Sequence, residues 1–114
     1  MRRAARSKYG NIATVVDGIR FASKREARRW QDLRLLEKAG EIRNLMRQVR
    51  YPLTVNGIRI TTYIADYVYV PLNRISKEWE FNDVVEDVKG VRTPVYKLKR
   101  ALMFAIHGIK IVET

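Results

Sequence analysis

A chain of 114 residues has room for one domain that buries about two-thirds of its unfolded surface. It has no cysteine, which excludes disulfides, a thiolate zinc site and a cysteine nucleophile, and the lone His107 excludes a multi-histidine metal centre. The net charge of +11 favours a polyanionic partner, nucleic acid first, because each neutralised phosphate releases condensed counterions.

The start, Met1-Arg2-Arg3-Ala4-Ala5-Arg6-Ser7-Lys8, lacks the apolar run of a signal peptide, and no stretch approaches the ~20 apolar residues that span a bilayer. A soluble cytoplasmic protein with no membrane partner is expected. Residues 1 to 10 read as a flexible basic arm, whose Arg2, Arg3, Arg6 and Lys8 either contact phosphates or are simply solvated. Thr14-Val15-Val16 and Ile19-Arg20-Phe21 flank Asp17-Gly18, which predicts a tight hairpin.

Ser23-Lys24-Arg25-Glu26 is a capping-box pattern and opens a helix that Gly40 ends. Its buried stripe is Ala27, Trp30, Leu33 and Leu36, with Arg25, Arg28, Arg29, Arg34 and Lys38 on the other faces. Ile42 to Leu53 is mixed, and a strand is predicted over about residues 47 to 55. Asn56-Gly57 then supplies a type I′ turn into a long strand from Ile58 to Pro71 that carries Asp66.

The segment from Ile75 to Asn82 is irregular, with Trp79 and Phe81 packing on the sheet edge or stacking on bases. A strand from Val84 leads through Glu86, Asp87 and Lys89 to Gly90. Thr93-Pro94 pairs a cap residue with proline at the first helical position. Val95, Leu98, Leu102 and Ala105 are expected to face the core, leaving Tyr96, Lys97, Lys99 and Arg100 as a phosphate grip or a solvated face. His107-Gly108 closes this helix, and Ile109 to Val112 is a last strand, parallel to its partners. Hairpin, helix, three strands, helix, strand is an α/β order that gives a mixed sheet flanked by helices.

Side chains alternate along a strand, so Asp87 and Lys89 share one face while Glu86 takes the other. Pairing of the Asp66 and Asp87 runs through a turn at Pro71-Leu72-Asn73-Arg74 can bring both carboxylates beside Lys89. Like charges on half-buried strands need compensation, either from a bound Mg²⁺ or Mn²⁺ or from surface arginines. Five acids, Glu78, Glu80, Asp83, Glu86 and Asp87, fall within ten residues, and such a cluster repels a polyanion unless a metal bridges it. Glu26 has two readings, a helix cap or a third carboxylate that reaches the sheet.

Tyr63-Ile64-Ala65-Asp66-Tyr67-Val68-Tyr69, Val85-Glu86-Asp87-Val88-Lys89-Gly90 and Thr93-Pro94-Val95-Tyr96-Lys97-Leu98-Lys99, in this order of elements, resemble the PD-(D/E)xK nuclease superfamily. More narrowly they resemble short phage proteins within it, similar to phage Holliday junction resolvases and endonucleases. The likeness runs from Tyr9 onward. It implies a restriction-endonuclease-like αβββαβ core with a mixed four- to five-stranded sheet, formed as a single domain over residues 1 to 114.

It further implies Asp66, Asp87, the Val88 carbonyl and Glu26 as ligands for Mg²⁺ or Mn²⁺, and Lys89 as the residue that orients or activates water. Gln48 falls where relatives carry a polar residue before a strand. Arg2, Arg3, Arg6, Lys8, Lys24, Arg25, Tyr96, Lys97 and Arg100 would hold DNA. The implied activity is a metal-dependent endonuclease that cuts branched DNA as a homodimer, in the host cytoplasm during phage infection. Ala65 stands where the family has proline, a position that shapes the turn into the strand and binds no metal. A non-catalytic DNA-binding phage protein, and a nuclease for other DNA or RNA structures, are the rival readings.

Overall fold

The computed structural model describes residues 13 to 114, so the arm bearing Arg2, Arg3, Arg6 and Lys8 lies outside the described residues. Asp17 and Gly18 both hold left-handed backbone and join β1 (Thr14–Val16) to β2 (Ile19–Phe21). Ser23 caps α1 (Lys24–Lys38), its hydroxyl accepting from the Glu26 amide at 3.1 Å, which stabilises the helix by about 1 kcal/mol.

β3 (Ile42–Val55) and β4 (Ile58–Pro71) form a long antiparallel hairpin. Asn56 and Gly57 close it with φ of 51° and 76°, the positive pair that a type I′ turn demands. β3 begins at Ile42, earlier than the start near residue 47 that alternation predicts. Asn44 and Gln48, at φ 57° and 52°, interrupt the period-two pattern inside the strand and hide its first half.

β5 (Val84–Asp87) pairs antiparallel with β4, and α2 (Pro94–His107) carries the chain to β6 (Val112–Glu113), which lies parallel to β5. The result is an α/β fold with a mixed four-stranded sheet ordered β3-β4-β5-β6, beside the small β1-β2 hairpin. β6 is shorter than the expected 109 to 112 run, because Ile109 and Ile111 serve as core side chains before pairing starts at Val112. No described helix is long and apolar enough to cross a membrane.

The sheet has an apolar layer on each side. Phe21, Ala27 and Leu33 pack with Ile42, Tyr67 and Tyr69 beneath α1, and Tyr96 and Met103 of α2 pack with Leu53, Tyr63, Ala65 and Val85. Val84 joins the first layer and its neighbour Val85 the second, so the two helices cover opposite faces.

α2 is rotated from the expected orientation, though Leu102 packs on the core as expected. Tyr96 and Met103 are buried, whereas Val95 and Leu98 are 62% and 58% exposed. Burying one tyrosine ring removes about 150–250 Å² from water, more than a valine offers, and that decides the rotation. His107 reaches past the helix end to the Pro52 carbonyl at 2.8 Å. Phe81 also departs from expectation. Trp79 bridges Leu72 and lies under Arg43 at 4.6 Å, but the turn closes when the Glu80 amide bonds the Pro71 carbonyl, leaving Phe81 beyond it and 97% exposed.

Candidate active site

Asp66 and Gln48 stand where each strand of the hairpin changes sides. In β4, Tyr63 and Ala65 belong to the α2 layer, yet Tyr67, two residues on, belongs to the α1 layer. In β3, Val49 packs toward α2 while Arg47 stacks over Phe21 and Trp30 on the α1 side. Regular strands keep residues two apart on one face, so both strands slip at one level, between the pairs Arg47↔Tyr67 and Val49↔Ala65. The left-handed Gln48 makes the slip in β3, and its side-chain amide donates to Asp66 Oδ1 at 3.3 Å. Asp66 therefore belongs to neither face and can meet groups arriving from both.

From the α2 side comes Asp87. Its Oδ2 accepts from the Tyr63 hydroxyl at 2.5 Å, and its Oδ1 lies 3.2 Å from Lys89 Nζ. Lys89 rests over the Tyr96 ring, 3.9 Å from ammonium to centroid. The pairs between β4 and β5 run out at Tyr67↔Glu86, and Asp66 Oδ2 takes the Val88 amide at 2.8 Å in place of a strand partner. Val88 thus meets the site through its amide.

From the α1 side comes Glu26. The Tyr67 hydroxyl donates to the Glu26 carbonyl at 2.8 Å, which fixes the first turn of α1 against the strand residue next to Asp66. The carboxylate itself is hydrogen-bonded by the Ala22 backbone, so the reciprocal half of the capping arrangement lands one residue before Ser23. Glu26 thus stands in the turn that Ser23 caps, held beside the strand that carries Asp66.

Three carboxylates now lie within electrostatic reach of one another. Burial, then Glu26 and Asp87, push the Asp66 carboxyl up to about 7 against the opposing Val88 amide. Burial and Asp87 raise Glu26 as well, with the Ala22 backbone, Arg47 and Lys89 opposing. Burial and the bond to Asp87 raise the Tyr63 phenol.

Asp66, Asp87 and Glu26 offer the hard oxygen donors that magnesium and manganese take. As they stand, among the described residues no three acidic or histidine side chains enclose an ion. Asp87 has both oxygens engaged by Tyr63 and Lys89, and Asp66 has both engaged by Gln48 and Val88.

The run of five acids does not form one cluster. Glu86 turns to the α1 face, fully buried, and receives Arg29 Nε and Nη2 at 2.8 and 2.6 Å together with the Tyr69 hydroxyl. Arg29 is consequently a clamp beneath α1, not an outer-face charge. Glu80 pairs with the Asn73 amide at 3.0 Å, far from that network in the chain's loop.

Among the residues expected to hold DNA, Lys24 and Arg25 are exposed on the first turn of α1, the turn that also carries Glu26, and Lys97 is exposed on α2. Arg100 is tied to Glu113 at 3.2 Å. Tyr96 is a correction: it is 6% exposed and serves as core and as the platform under Lys89. A cleft of about 240 Å³ opens beside Asp87 and Lys89, walled by Tyr63, Ile64, Val95 and Lys99.

Two residues of the site escaped sequence reasoning. Tyr63 could have been found, since strand pairing places it on the Asp87 face. Arg47, whose charge acts on Glu26, follows only from the face switch at Gln48, and the sequence carries no signal for that.

No curated protein and no solved structure matches the chain. A family model described as "Protein of unknown function (DUF1064)" matches residues 6–111, and the chain belongs to that family.

Proposed function

We propose that this protein is a divalent-metal-dependent endonuclease acting on branched DNA, with a restriction-endonuclease-like core related to the PD-(D/E)xK superfamily. The observation that carries the reading is the meeting of Asp66, Asp87 and Lys89 where β4 and β5 part, with Glu26 arriving from α1. Asp66 and Asp87 would hold Mg²⁺ or Mn²⁺, with Glu26 as a third oxygen donor. Such an ion, when bound, polarises the scissile phosphate and acidifies the attacking water.

Lys89, steadied by Asp87 and the Tyr96 ring, orients that water and offsets negative charge as it builds on the phosphoryl oxygens. In-line attack leaves a 5′ phosphate. Lys24, Arg25 and Lys97 contact the flanking backbone, which suits recognition of a junction by shape. The setting this reading implies is a homodimer at work in the cytoplasm of a phage-infected host.

The test is cleavage of end-labelled four-way junctions, duplex, flap and RNA, with and without Mg²⁺, by the wild type and by Asp87→Asn. The expected result is metal-dependent nicking of the junction that Asp87→Asn abolishes while DNA binding persists. No cleavage of any substrate by the wild type with either metal would end the nuclease reading. One observation favours a non-catalytic DNA-binding protein instead, the full engagement of both Asp87 oxygens by Tyr63 and Lys89. That reading requires Asp87→Asn to change nothing.

A further inference from the structure

The β4–β5 loop ends in a side chain that the fold does not use. Phe81 is 97% exposed, and no other residue of this acidic loop segment is an aromatic left so bare. It is bracketed by Glu78, Glu80 and Asp83 in a protein whose net charge is +11. A phenylalanine among carboxylates is ill-suited to the DNA backbone, which those charges repel. It is suited to an apolar recess with basic neighbours.

This chain has such a recess. A groove of about 580 Å³ lies between α2 and the segment leading into β6, lined by Ala101, Phe104, Ile109 and Ile111, with Glu113 tied to Arg100 and with Lys97 and Lys110 adding positive charge. Phe104 on its wall is itself 63% exposed. A volume in the range that encloses small ligands admits a phenylalanyl side chain and its flanking backbone.

The two features are neighbours. Phe81 lines a second cleft, of about 510 Å³, together with Gly108, Ile109 and Lys110, and Ile109 and Lys110 also line the groove. Loop and groove thus flank the same short stretch of chain. A two-fold axis passing near Ile109 and Lys110 would let each of two copies place its Phe81 in the other's groove, with acids meeting the lysines both times. That arrangement closes on itself, as an isologous interface must.

We infer that the Phe81 loop and the α2–β6 groove form a homodimer interface, the occupant of each groove being the acidic loop of a second copy of this chain. The inference deepens the proposed reading, which implies a homodimer, by naming the two faces that meet, and its test requires neither metal nor DNA.

Sedimentation equilibrium of the full chain, without metal or nucleic acid, tests it. The wild type should show twice the 13.4 kDa chain mass. Phe81→Ser, harmless to folding because the side chain is exposed, should weaken association by about tenfold or more, as loss of an aromatic anchor does. Lys110→Glu should weaken it too, and combining it with Asp83→Lys in the same chain should restore it. A monomeric wild type, or a Phe81→Ser variant that dimerises as before, would overturn the inference. So would a monomer whose Phe81→Ser variant loses DNA affinity, which would assign the loop to DNA, or one that binds a basic partner protein through Phe81.

Discussion

Glu86 and Asp87 are adjacent in the chain and opposite in circumstance. Glu86, on the α1 face, has its charge matched by one bidentate guanidinium and its remaining capacity filled by a phenol. Asp87, on the other face, shares its surroundings with Asp66 and Glu26, and this trio has Lys89 in contact and the charge of Arg47 nearby. A buried acid that is paired one to one holds a fold together. Acids that outnumber their cations are poised for a ligand that brings positive charge.

The comparison can be broken most forcefully at Asp66. Asp66→Asn keeps an oxygen for the Val88 amide, and junction cleavage measured under single turnover should fall by about 10³-fold, with the fold intact. Its counterpart is Glu86→Ala, which strands Arg29 beneath the helix. Chemical denaturation should show a loss of about 2–3 kcal/mol, below the range for fully buried pairs because the guanidinium is 27% exposed. Activity should follow only as far as folding does. Equal stability losses in the two variants would erase the distinction.

A gentler probe is pH. The folded Asp66 carboxyl titrates near 7, against an ordinary value of 3.8, so between these values the folded state holds a proton that the unfolded chain has released. Its contribution is fully present below about 4 and is lost as pH rises through about 7. Thermal midpoints of the metal-free protein should therefore decline across that window, the rise from 3.8 to about 7 being worth up to about 4 kcal/mol. Asp66→Asn should flatten the decline, and so should added Mg²⁺. The smallest effect belongs to Glu26→Gln. Glutamine can keep the bond to the Ala22 backbone, so the midpoint should hold while Mn²⁺ affinity, read by titration, weakens about tenfold.

The sequence was legible where local rules act alone. Asp17-Gly18, Asn56-Gly57, Ser23 and Thr93 each dictate backbone through their own chemistry, and each stands where expected. Strand alternation likewise separated Asp87 and Lys89 from Glu86. Legibility ended where tertiary packing chose between equal patterns. α2 has two apolar stripes, and only contact with the sheet selects Tyr96 and Met103 over Val95 and Leu98. The first half of β3 was hidden because Asn44 and Gln48 break the period that reveals a strand. Arg29 read as one of many helix arginines, since nothing in its spacing records the buried acid waiting fifty-seven positions later.

The switch of faces at Gln48 and Asp66 makes one hairpin the backing for both helices, its turn-distal half under α1 and its turn-proximal half under α2. The side chains of the two halves change allegiance between the pairs Arg47↔Tyr67 and Val49↔Ala65. Asp66 thus sits between the first turn of α1, which Tyr67 holds through the Glu26 carbonyl, and the strand that bears Asp87. The level at which the hairpin changes helices is also the level at which Asp66 and Asp87 come together.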